Sequence, residues 1–301
     1  MATAIWTISV VGLAFIAISL LCTFIMTVAG FFTLHRRGDY TRSYVSWIKA
    51  AMTLGTIWMA LWIGAMLSPV MYFPRRNIYD SPRFHLYAVY QLFYLVTLAV
   101  VMATQIEVAR GFKGESSGWV KGKTSKILLG VFVVLSVIRF ILYEISAVTT
   151  VWVSLASYAI DLIQFILLWV GSIVSPVYLV KGKGYFNPNV NYSPLPVIYV
   201  IPADVILLQI QNSHRVYRSL LAIFILTLLR QTFECLYAIA SFVSLFISTY
   251  NSYANVWTAI LHIPRIIFTA WMVTATFGVF FSLASLFQHG PSRVKYDGES
   301  A

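Results

Sequence analysis

The sequence predicts an all-α integral membrane protein, one bundle of seven transmembrane helices with its N-terminus outside and its C-terminus cytoplasmic. Three observations carry this prediction. The 301-residue chain is 59% hydrophobic and only 10% charged, with a mean hydropathy of +0.80, outside the range of soluble globular domains. Its apolar stretches are long enough for a bilayer core, which takes roughly 20 residues of helix. Its basic residues gather in alternate connections, as the positive-inside rule requires.

The first apolar stretch, 4–34, is too long for a cleaved signal peptide, has no basic residue before it and is followed by Arg36 and Arg37, so it reads as a true span. The second covers 44–73 and the third 84–109, on either side of "YFPRRNIYDSPRFH". The fourth, 126–149, turns tightly into the fifth, 151–180. The connection 181–216 opens on glycines and carries four prolines, so its first half is irregular. After Pro202, "ADVILLQIQNS" reads as a short helix lying in the cytoplasmic interface. The sixth and seventh spans are 217–248 and 254–287. No hydrophilic segment is long enough to fold alone, so 1–301 is one domain.

Arg36, Arg37, Arg42 and Lys49 follow helix 1, and Arg110, Lys113, Lys121, Lys123 and Lys126 follow helix 3. With Lys181, Lys183, Arg215, Arg218, Arg293 and Lys295, this side carries 15 of the 21 Lys and Arg. The opposite side has only Arg75, Arg76 and Arg83. The formal charge of +11 therefore reports orientation and attraction to anionic inner-leaflet lipid, and nucleic acid is not an expected partner. On this topology the sequon Asn191-Tyr192-Ser193 is cytoplasmic and carries no glycan. Cys22 and Cys235 both lie within helices and read as buried free thiols.

Inside the spans the chain keeps ionisable groups. Helix 4 carries Arg139 and Glu144 in "VIRFILYEIS", helix 5 Asp161 with Gln164, helix 6 Arg230 and Glu234, and helix 7 His262 and Arg265. At about 1.5 Å per residue these occupy one slab from the membrane middle to its outer half. A charge there costs at least about 2.5–3.5 kcal/mol, so the groups should face the bundle interior, paired or hydrated. Arg230 and Glu234, four apart, share a helix face and are expected to pair directly. Arg139 and Glu144 lie five apart, about 140° around the helix. They therefore need partners from elsewhere, with Asp161 expected for Arg139, and Arg265 or His262 for Glu144. Asp161 and Gln164 line one face, and Pro264 is expected to bend helix 7 near this layer. The Arg and Glu of helices 4 and 6 also make those two helices look like distant copies of each other.

Trp58 and Trp62, one turn apart on helix 2, and Tyr87, Tyr90, Gln91 and Tyr94 on helix 3 form an aromatic wall beside the slab. A ring-lined cavity with a charged floor suits an amphiphile such as a sterol-like lipid. Gln105, Glu107 and Arg110, like "FFTLHRRGDY", read as solvated anchors at the cytoplasmic ends.

Several chemistries find no support. There is no Gly-rich phosphate loop, no Cys or His cluster with metal spacing and no serine nucleophile with its base. Helix 7 lacks the lysine that a retinal Schiff base needs. The expectation is no catalytic residue, no metal and no cofactor. The signatures of G-protein-coupled receptors, an inner Asp-Arg-Tyr-like run and Asn-Pro-x-x-Tyr in helix 7, are also missing.

"LLRQTFECLYAIASF" in helix 6, echoed by "VIRFILYEIS" in helix 4, resembles the Arg-x-x-x-Glu-type helix of the fungal lipid-translocating exporters linked to aminocholesterol resistance and of related fungal seven-helix orphan proteins. The likeness covers about 30 residues and does not extend to "LHIPRIIFTAW" in helix 7. It implies a plasma-membrane protein that handles or senses amphiphilic molecules. Three readings follow. The leading one is a non-enzymatic translocator or receptor-like sensor whose partners are the bilayer, an amphiphilic small molecule and an unidentified cytoplasmic protein. The second is an integral-membrane terpene cyclase driven by a buried protonated acid. The third is a structural partner protein whose ion layer only sets helix register.

Overall fold

The computed structural model describes residues 2–34, 43–67, 82–112, 123–146, 151–182, 203–247 and 264–288. They form α1 (Ala2–Thr33), α2 (Ser43–Leu67), α3 (Pro82–Phe112), α4 (Lys123–Ser146), α5 (Val151–Gly182) and α6 (Ala203–Ile247). α7 covers 264–288 and contains a π-helical turn, Ile267–Trp271, that runs into Met272–Gln288. Seven helices are thus long and apolar enough to cross a membrane, which supports a multi-pass membrane protein. Arg36, Arg37, Asn191 and His262, with 254–263 at the expected start of helix 7, lie outside the described residues.

Two elements differ from expectation. α6 runs unbroken for 45 residues, so the short helix expected after Pro202 is the first turns of the sixth span. No Gly or Pro interrupts "ADVILLQIQNSHRVYR", and a helix once nucleated propagates. At 1.5 Å per residue α6 is roughly 68 Å long, about twice what a bilayer core requires. In α7 the irregularity falls after Pro264 rather than at it. Met272 N–H bonds Ile267 O, the five-residue step of a π-turn, a feature that recurs at functional sites.

Successive helices pack side by side, and α1 and α2 both meet α7, which closes the ring. α3 packs on α2, α4 and α5 and is the innermost helix, with 67% of its apolar window buried against 17% for α4. Large apolar side chains left outside, such as Leu21 and Phe24 on α1, Val134 on α4 and Leu229 and Leu236 on α6, present the lipid-facing surface expected of spanning helices. The core joins Trp58 and Met59 of α2, Tyr94 and Leu98 of α3 and Phe277 and Phe280 of α7. Close approach is set by small residues. A Cβ at Gly55 would strike the ring of buried Phe277, and one at Gly171 would strike Met102 Sδ, so glycine is what lets α2 meet α7 and α5 meet α3.

Hydroxyls within the spans are satisfied by their own helix. Thr97 donates to Phe93 O, Thr104 to Val100 O, Ser136 to Phe132 O and Thr276 to Met272 O, each four residues back. Others join helices: Thr274 of α7 shares hydrogen bonds with Ser19 at 2.6 Å and Thr23 at 3.0 Å on α1, and Thr27 of α1 with Thr56 of α2 at 3.0 Å.

Candidate functional site

The slab of charge divides into three parts. Between α4 and α5, Arg139 Nη2 donates to Asp161 Oδ2 at 2.8 Å, as spacing predicted. Gln164 Nε2 donates to Ser136 Oγ at 2.9 Å. Both pairs follow from one rule: antiparallel helices step in opposite directions, so residues three apart on each stay opposite. Arg139 is 4% exposed and lies 5.4 Å from the Tyr143 ring centroid, so ring and carboxylate together hold its charge. Arg139 is thus a paired cation, although its Nε and Nη1, like Asp161 Oδ1, have no hydrogen-bond partner among the described residues.

Glu144 does not meet α7. Its Oε2 lies 2.7 Å from His85 Nδ1 on α3, where the first turns of α3 pass the last turn of α4. Phe84 stacks on Tyr143 at 4.7 Å, which brings the two helix ends together. The pair stands at the edge, its side chains 54% and 25% exposed. Arg139 and Glu144 do diverge as predicted, but Glu144 reaches the neighbour next to its own end rather than a helix across the bundle.

The third part joins α3, α6 and α7. Glu234 Oε1 accepts from Tyr94 Oη at 2.7 Å and from Thr269 Oγ1 at 2.5 Å. The π-turn carries Thr269. Arg230 and Glu234 form no ion pair among the described residues, contrary to the expected i,i+4 bridge. Arg before Glu is the weaker order on a helix, and the two hydroxyls already occupy Oε1. Arg230 is 1% exposed, yet among the described residues its Nε, Nη1 and Nη2 have no hydrogen-bond partner. Arg265 lies over the Tyr237 ring at 4.5 Å and donates from Nη1 to Tyr237 Oη at 3.3 Å. Tyr90 and Tyr87 are its other close neighbours, and its Nε is unpartnered. Among the described residues neither guanidinium forms an ion pair with Glu234.

The expected aromatic wall is a stack filling the space between α2 and α3. Trp62 lies on Tyr90 with ring centroids 5.6 Å apart and planes 5° from parallel. Trp58 meets Trp62 at 5.6 Å and Tyr94 at 5.0 Å, and Tyr87 meets Tyr90 edge-on at 4.8 Å. Gln91 Nε2 donates to Tyr90 Oη at 2.6 Å and Tyr87 Oη at 3.2 Å. Tyr94 thus has its ring in the stack and its hydroxyl on Glu234.

Sequence reasoning missed four members. His85 and Tyr237 were visible only as scattered polar rings, and Thr269 as one hydroxyl in an apolar run. Gln105, read as a solvated anchor, is 7% exposed and donates to Thr227 on α6. Its position inside a long apolar run was the available signal. Cys22 and Cys235 are free thiols, as expected, but half-buried rather than buried. Among the described residues no group of His, Cys, Asp and Glu is placed to hold a metal ion. Compared with family models, curated proteins and solved structures, the chain matches none.

Proposed function

We propose that this chain is a non-enzymatic membrane protein that binds an amphiphile within the bundle, as a translocator or receptor-like sensor of the plasma membrane, with its N-terminus outside. The observation that carries this reading is Arg230, fully buried with three unmet donors. A guanidinium in such surroundings loses its hydration and gains nothing in exchange. A layer built only to fix helix register has no use for it, since Arg139 with Asp161 shows the paired alternative in the same molecule. A ligand head group would supply what is missing.

The amphipathic stack beside the layer supports the same reading. Tyr and Trp rings offer apolar faces and polar tips, which suits a molecule with one polar end. The likeness of helices 4 and 6 to the fungal lipid-translocating exporters agrees with it.

The test is a thermal-shift screen of purified full-length protein in nanodiscs against sterols, sphingoid bases and polyprenyl diphosphates, with product analysis of each mixture. Stabilisation by at least one amphiphile without turnover is expected. A new hydrocarbon product would establish the cyclase, and a flat response to every class would leave a structural role.

A further inference from the structure

The unmet groups around the α3, α6 and α7 junction are mostly of one kind. Arg230 Nε, Nη1 and Nη2, Arg265 Nε and Trp58 Nε1 are hydrogen-bond donors, each buried and without a partner among the described residues, against two unmet acceptors, Gln231 Oε1 on α6 and Gln105 Oε1 on α3. Trp58 joins this junction through its contact with Tyr94, whose hydroxyl holds Glu234. The charge balance has the same sign. Among the described residues Glu234 is the acid of this junction and Arg230 forms no ion pair with it, so the positive charge of Arg230 is left unanswered. A buried centre short of acceptors and of one negative charge calls for an anion.

We propose that Arg230 anchors a site for the monovalent carboxylate head group of an amphiphile. Arg presents its N–H donors in a planar fork that matches a carboxylate bidentately. A single negative charge closes the imbalance, whereas a phosphate monoester would overshoot it. This inference rests on the amphiphile reading above and names the head group that reading leaves open.

The experiment uses full-length protein in phosphatidylcholine nanodiscs with dodecanoate, dodecanol, dodecyl phosphate and dodecylamine as probes. Dodecanoate at roughly 100 times its Kd is expected to raise Tm by about 5 °C, and the other three by less than about a third of that. Equal stabilisation by dodecanol would overturn the carboxylate proposal while leaving the amphiphile reading intact. Equal or greater stabilisation by dodecyl phosphate would overturn the head-group assignment. No shift with any probe, together with a flat sterol, sphingoid and diphosphate screen, would overturn both.

Arg230→Met is expected to abolish the dodecanoate shift while holding the ligand-free Tm at or above that of the parent chain, because it removes an uncompensated buried charge. A retained shift, or a steep loss of ligand-free Tm, would overturn the assignment to Arg230. If that variant fails to fold, Arg230→Lys serves, since it keeps the charge and loses the fork. It is expected to weaken dodecanoate binding about tenfold, and unchanged affinity would overturn the proposal.

Discussion

Tyr94 and Glu234, 140 residues apart, are joined by a 2.7 Å hydrogen bond from phenol to carboxylate, and this contact ties the innermost helix to the only charged face of α6 among the described residues of its span. Thr269 completes the arrangement from the π-turn of α7. Removing one donor should leave a buried acceptor half satisfied. Tyr94→Phe or Thr269→Val is expected to cost about 1–3 kcal/mol each. The double variant should depart from additivity, since both act on Oε1. Thermal stability of the four proteins of this cycle checks it, and strict additivity would show that the two hydroxyls act independently.

Arg139 and Asp161 predict a different pattern. Arg139→Leu strands a mostly buried carboxylate and should cost about 3–5 kcal/mol, whereas Arg139→Leu/Asp161→Leu should recover most of that loss. Melting curves of both variants decide it. A double variant no better than the single would mean that the pair is held by something other than its charge.

His85 and Glu144 hold a similar distance, 2.7 Å, but stand at the exposed edge. His85→Ala is expected to change stability by less than about 1 kcal/mol, because solvent screens exposed pairs. A loss as large as that of Arg139→Leu would show that the ring contacts around Tyr143 depend on this bond.

Gly55 faces the ring of Phe277, which is fully buried. Gly55→Ala should cost about 1–3 kcal/mol through overpacking, and Gly55→Ala/Phe277→Leu should regain part of it. Gly171→Ala should cost less, since its added methyl meets the flexible thioether of Met102. Thermal denaturation of the three variants orders them, and the reverse order would mean that α2 and α7 can separate freely.

The proposed orientation makes a prediction independent of the bundle. Asn191-Tyr192-Ser193 lies between the fifth and sixth spans, on the cytoplasmic side if the N-terminus is outside. Expression in a glycosylating host should leave Asn191 bare, and a mobility shift lost in Asn191→Gln would reverse the topology.

Seven helices, their places in the chain and the interior location of Arg139, Asp161, Arg230 and Glu234 were legible in the sequence. Each follows from a one-dimensional rule, apolar length or the cost of charge in hydrocarbon. The pairing of Arg139 with Asp161 was legible too, because only residues 147–150 separate α4 from α5, which keeps the two helices neighbours. The partners of Glu144 and Glu234 were not. They come from α3 and α7, helices far away in sequence, and spacing along one helix carries no information about which distant face turns toward it.

By itself, then, the sequence determined the kind of protein and the helices that carry its buried charge, since chain length and hydropathy act locally and need no partner. Only the tertiary structure decided which charges are answered. His85 took Glu144, Tyr94 and Thr269 took Glu234, and Arg230 was left with none. The physical reason is that a hydrogen bond needs two atoms within about 3 Å, and that distance is set by how seven helices pack, not by where their residues stand in line.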